Sequence, residues 1–142
     1  MTKEHNLQRF INAQKTDYQT ALSEIKNGSK RSHWMWYIFP QIQGLGFSET
    51  SMFYALKNLA EAREFLTHPV LGNRLIEICN ELLKLESNDA HSIFGSPDDL
   101  KLKSSMTLFA SLETNHVFEQ VLDKFFDGTK DDKTLDIIVT QK

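Results

Sequence analysis

Apolar residues recur at steps of three and four along most of this chain, and each such run predicts a helix. Leu7, Phe10, Ile11, Tyr18, Ala21, Leu22 and Ile25 form the first, with Asn6 placed to cap it and Gly28 to stop it. The polar step Lys15-Thr16-Asp17 is expected to kink or split this helix. After a loop at Gln41-Ile42-Gln43-Gly44-Leu45-Gly46 the helical pattern resumes behind Ser48. Asn58-Leu59-Ala60-Glu61 has the form of a capping box with Asn in place of Ser or Thr, and predicts a short helix to about Leu66. His68-Pro69 opens the next, which puts Val70, Leu71, Leu75, Ile78, Cys79, Leu82 and Leu85 on its buried side and ends at Ser87-Asn88-Asp89. A loop from Ile93 to Asp99 then leads into a helix from Leu100 to Leu112, for which Ser96 is the expected N-cap and Pro97 the first residue. Val117, Phe118, Val121, Leu122, Phe125 and Phe126 mark a further helix stopped by Gly128, and Asp131 to Val139 is a final short helix or strand.

Strict apolar/polar alternation is missing over any useful length, so the expected fold is mainly α, a single compact multi-helix domain over residues 1–142. The run Trp34 to Phe39 is too uniformly apolar for periodicity to separate a buried helix turn from a strand. With 142 residues and 40% hydrophobic content, the chain can bury a core without disulfides or metal. The single cysteine, Cys79, lies in an apolar stretch and reads as a small buried hydrophobe. No run of about 18 apolar residues appears and Met1 to Asn6 has no apolar signal region, so a cytoplasmic protein without membrane partners is expected. A net charge of −3 argues against coating duplex nucleic acid, although Lys26, Lys30, Arg31 and His33 supply a local basic patch beside both tryptophans.

The five histidines are scattered without ligand spacing, and the chain has neither a cysteine pair, a Gly-x-Ser-x-Gly elbow nor a P-loop, so no metal or cofactor is expected. Three polar segments set in apolar context remain. In Lys30-Arg31-Ser32-His33-Trp34, continuing to Trp36 and Gln41, cations could meet phosphate while an indole stacks on a ring; the bland alternative is a core Trp with snorkelling cations. Asp98, Lys101, Ser104 and Ser105 fall near one helix face that runs on to Thr107, and hydroxyls at that core edge need partners from a ligand or from i−4 carbonyls. Gly44-Leu45-Gly46-Phe47-Ser48, with Ser51 and Tyr54 following, is either a plain helix start capped by Ser48 or an anion site. If the three converge they form an aromatic pocket with donors for an anion.

The residues Lys30 to Gln41, Gly44-Leu45-Gly46, His68-Pro69-Val70-Leu71-Gly72, Phe94-Gly95 and Asp98 to Phe109 together resemble the domain-of-unknown-function 1810 family. Arg9-Phe10, Ala13-Gln14 and Tyr18 extend the likeness over nearly the whole chain, with Tyr37 standing where the family often has Phe. The resemblance implies a small, mostly α-helical bacterial protein with no settled activity. The calpastatin label attached to some members does not fit, because calpastatin is disordered whereas this chain has helix periodicity, few prolines and abundant large apolar residues. The family is further similar to the NADAR group of NAD- and ADP-ribose-linked proteins, some of which cleave ribose N-glycosidic bonds; no catalytic residue carries over by position.

The expected ligand is therefore a phosphorylated ribosyl compound of the ADP-ribose type. Trp34 or Trp36 would stack on its ring, Lys30, Arg31 and Lys101 would engage phosphate, and His33, Gln41, Ser48, Tyr54, Ser104, Ser105 and Thr107 would complete the site. If an N-glycosidic bond is hydrolysed, a carboxylate and a positioned water are needed, and Asp98 is the first candidate with Glu61 behind it. The competing expectation is a non-enzymatic module that docks a protein or nucleic acid through the Trp-rich segment. Burial of the two indoles separates these readings from a plain core.

Overall fold

The computed structural model describes residues 7–141, which form nine helices. In chain order these are α1 (Gln8–Lys26), α2 (Met35–Ile38), α3 (Glu49–Tyr54), α4 (Leu59–Thr67), α5 (Leu71–Lys84), α6 (Ala90–Phe94), α7 (Asp98–Ala110), α8 (Val117–Phe126) and α9 (Asp132–Thr140). The Asn6 cap lies outside the described residues. The expected break in α1 does not occur: Lys15 and Thr16 fall on its solvent side, while Gln14 and Tyr18 continue the buried one. Gly28 follows its end at φ +72°, a conformation that glycine adopts without a side-chain clash.

Several boundaries shift for identifiable reasons. Helix α5 begins at Leu71 because His68 Nδ1 accepts from the backbone N–H of Val70 and Leu71, at 3.1 and 3.2 Å. Val70 thus precedes the helix and is exposed, against the expectation that it faces the core. Gly72 lets α4 and α5 meet at a sharp corner, since a Cβ there would lie 1.8 Å from the Leu66 carbonyl oxygen. Helix α5 ends at Lys84, ahead of the expected Ser87-Asn88-Asp89 stop. Asp89 instead caps α6, a five-residue helix that the pattern did not predict and that runs into the first two residues of the expected loop. Helix α7 begins at Asp98 with Pro97 in the cap position, so Ser96 is not its cap. The final element is a helix, capped by Asp131, whose carboxylate accepts from both the backbone and the hydroxyl of Thr134.

Helix α7 is the central element, packed by α4, α6, α8 and α9, and from Leu102 onward almost every side chain is buried. Helix α5 joins α1, α4 and α8 around it. Cys79 is fully buried with its Sγ 3.7 Å from Met106 Sδ, and burial pushes its thiol well above the ordinary range, which leaves it inert. No helix among the described residues is long and apolar enough to cross a membrane.

One excursion from this body positions the candidate site. Leu56 donates to Gln41 O at 2.9 Å and accepts from Gln43 N at 2.8 Å, an isolated parallel bridge that brings the two ends of the intervening segment together. The enclosed residues include α3, none of whose side chains is buried, and they present Phe47, Met52 and Phe53 to solvent.

Candidate functional site

Residues 35–38 form a single helical turn, so Trp34 and Trp36 lie about 200° apart around it and face different surroundings. Trp34 is 1% exposed and packs edge-on to Phe94 and tilted against Phe39. Its Nε1–H donates to Glu24 Oε1 at 2.9 Å. The same carboxylate accepts from the backbone N–H of Arg31 and Ser32, at 2.8 and 3.0 Å, and from the Ser32 hydroxyl at 2.6 Å. Burial alone would raise the Glu24 pKa, but these donors outweigh it and hold the group at about 2, below its ordinary 4.5. Glu24 on α1 is thus the anchor of the 30–34 segment.

Trp36 is half-buried, and its surroundings are unsaturated where those of Trp34 are saturated. With Gln41, Gly46, Ser51 and Tyr54 it lines a recess of about 10 Å³, the size of one water. Its Nε1 is buried and unpartnered, one of two such side-chain atoms among the described residues. The other is Ser105 Oγ, on α7. Ser104 and Thr107 donate back to the carbonyls of Leu100 and Lys103, at 3.2 and 2.8 Å, whereas Ser105 does not take that option. Ser105 lies one turn beyond Lys101 on the same face of α7.

Asp98 and two lysines link the indoles. Lys30 Nζ stands 4.9 Å from the Trp34 ring centre and 2.8 Å from Asp98 Oδ2. Lys101 Nζ stands 4.9 Å from the Trp36 ring centre and 3.5 Å from Asp98 Oδ1. Each indole therefore carries a cation over its ring, and one carboxylate balances both.

The structure thus brings Trp36, Gln41 and Tyr54 to one recess, with Lys101 over the Trp36 ring and Lys30 and Asp98 one ion pair away. Trp34 is not a pocket wall but a core side chain. Arg31 and the His33 side chain face solvent, the His33 carbonyl accepting from the Tyr37 hydroxyl at 3.2 Å. Ser104 and Thr107 are buried in α7, Thr107 Oγ1 also accepting from Asp131 N at 3.0 Å. Ser48 is spent as the cap of α3, accepting from Ser51 N at 3.1 Å and donating to Ser51 Oγ at 2.8 Å. Glu61 is fully buried: its carboxylate pairs with Arg9 at 3.3 Å and accepts from Lys57 N at 2.8 Å. Arg9 also donates to the carbonyls of Phe53 and Ala55, at 2.7 and 2.9 Å, so Glu61 belongs to a clamp that ties α1 to the C-terminal end of α3.

Glu24 and Arg9 were not among the expected site residues, whereas Ser51 was named with the expected anion segment. Glu24 carries one legible signal, a carboxylate in the last turn of a helix, where the dipole disfavours negative charge unless local donors hold it. Arg9 is named only with Phe10 in the family resemblance, and no local motif pairs it with Glu61.

A family model described as "Protein of unknown function (DUF1810)" matches residues 4–138. The crystal structure of a conserved hypothetical protein from Mycobacterium tuberculosis superposes on this chain with a TM-score of 0.92 and 41% sequence identity, covering 94% of this chain and 96% of its own. No curated protein matches the chain.

Proposed function

The chain belongs to the DUF1810 family of proteins of unknown function, and from that premise we propose that it is a cytoplasmic binding protein for a phosphorylated ribosyl compound of the ADP-ribose type. The observation that carries this is the half-buried indole of Trp36, which lines a small recess and carries the Lys101 ammonium 4.9 Å from its ring centre. An aromatic face beside a cation suits a planar ring that bears phosphate. The recess holds one atom group and not a nucleotide, so the bulk of the ligand lies over its mouth, where Gln41 and Tyr54 are within reach.

Binding is better supported than hydrolysis. Both Asp98 oxygens are engaged by lysines and the Glu61 carboxylate is engaged by Arg9 and Lys57 N, so neither carboxylate stands ready to activate water. N-glycosidic cleavage would require Lys101 to leave Asp98 for the ligand phosphate, which would uncover Oδ1. The test is a thermal-shift screen with NAD, ADP-ribose, ADP-ribose-1″-phosphate and riboflavin-pathway ribosyl compounds, repeated with Trp36→Ala. A ligand at about 100 times its Kd adds roughly 2.7 kcal/mol of apparent stability. A flat response to every compound removes the proposal.

A second reading is favoured by a different observation. Phe47, Met52 and Phe53 are 80%, 57% and 57% exposed on the pinched segment, as the anchors of a protein interface would be. With Trp34 in the core, these residues and not the tryptophans would dock a partner. Light scattering across a concentration series would show self-association through this face, abolished in a Phe47→Ser, Phe53→Ser variant.

A further inference from the structure

We propose that the exposed face of α3 is a two-fold interface with a second copy of this chain, in which Glu49 of each copy meets Lys57 of the other across an apolar centre of Met52 and Phe53. This rests on the docking reading given above and names its partner and register. Glu49, Met52 and Phe53 stand at i, i+3 and i+4 of a helix none of whose side chains is buried, so they share one face. Lys57 lies beyond the C-terminal end of α3 and lines one groove with Met52 and Phe53, to which Arg9, Gln43 and Ala55 also contribute. The Arg9 charge is met by Glu61. Glu49 and Lys57 are both exposed, and among the described residues no ion pair or hydrogen bond engages either side chain.

Charge decides between the classes of partner. A face that takes an acidic or a basic partner carries one sign, opposite to that partner. This face instead carries an acid on one side of its apolar pair and a base on the other, and Phe53 stands midway between them in sequence. Such a surface is complementary to a copy of itself turned by 180°. In a two-fold contact residue i meets j while j meets i, so the one acid and one base yield two ion pairs around Phe53 at the axis. A two-fold axis running along α3 would set Glu49 against Glu49 and Lys57 against Lys57, so the charges select the antiparallel arrangement. Apolar contact supplies the attraction; exposed ion pairs add little to it and fix the register.

The experiment is sedimentation equilibrium of the full chain from about 1 μM to about 1 mM, the range that suits an interface with a small apolar centre. The expected result is a mass that rises from one chain toward two. Glu49→Lys or Lys57→Glu alone replaces both ion pairs with like-charge pairs and is expected to raise the dissociation constant by about ten-fold. The double variant carries both reversals and is expected to return it to within about two-fold of the parent, because the pairs re-form with exchanged signs. Phe53→Ser is expected to abolish the dimer. Melting followed by circular dichroism should agree among the charge variants, whose altered side chains are exposed, so a change in association is not a change in folding. A mass of one chain at every concentration gives the face to some other partner and overturns the inference. If dimers form and are lost with Phe53→Ser but ignore the charge reversals, the docking reading stands and the two-fold register falls. If dimers form and survive Phe53→Ser, both fall.

Discussion

Trp34 and Trp36 are separated by one residue, carry a lysine at the same 4.9 Å from their rings and share Asp98 as counter-charge, yet one is finished and the other is not. Trp34 has a carboxylate for its N–H and a full packing shell. Trp36 has a recess beside it, an N–H with no acceptor and an edge at the surface. A saturated polar group stabilises a fold, whereas a buried unsaturated one costs stability.

The largest test of that contrast is truncation. Trp34→Ala is expected to cost about 3–5 kcal/mol in chemical denaturation, because it empties a core position and removes one donor from Glu24. Trp36→Ala should cost no more than about 2 kcal/mol, since the ring is half-buried. Equal losses would erase the distinction. Next in size is Glu24→Gln, expected to cost about 1–2 kcal/mol near neutral pH because an amide offers the four donors a poorer acceptor and no charge. The pH dependence has a definite sign. A carboxylate held at about 2 in the fold and near 4.5 when unfolded stabilises fully above the latter value and loses its contribution as pH falls from about 4.5 toward 2. Denaturation midpoints of the two proteins should therefore converge on acidification, and a gap that stays constant would show that the charge plays no part.

Smaller effects probe the shared counter-charge. Asp98→Asn is expected to cost at most about 1 kcal/mol, since it sits partly in solvent, while calorimetry with inorganic phosphate should report tighter binding from the two unbalanced lysines. The smallest change is Trp36→Phe. It deletes a buried donor that has no partner, so stability should stay within about 0.5 kcal/mol of the parent, on the stabilising side. A loss above that would mean the N–H has an acceptor after all.

How much of this could be read beforehand differs between fold and site. The helices α1, α4, α5, α7 and α8 were legible from their apolar spacing, and α4 also from its local cap, Asn58, whose side chain accepts from Glu61 N. Helix α6 was not, because five residues carry too little periodicity. The tryptophan run was ambiguous between staple and pocket for a physical reason: the turn holds one tryptophan in each role, and a composition argument treats the pair as one. Lys101 was legible as a candidate because it recurs with Asp98 on one face of α7, while Arg9 and Glu24 act across distances of 46 and 10 positions that no local motif spans. Glu61 was picked for its charge, but its burial and its pairing with Arg9 give it a structural position.

The bridge between Ile42 and Leu56 has a consequence for how this protein can vary. Because the chain leaves and re-enters the body at adjacent points, a change of length between them need not displace those two ends, and each doubling of a flexible loop costs only about 0.6 kcal/mol. One wall of the Trp36 recess, Gly46 through Tyr54, is carried on that excursion, while Trp36 and Lys101 are held by the body. On the binding reading proposed above, a change in that excursion alone would reshape one wall of the recess and leave the indole and the cation in place.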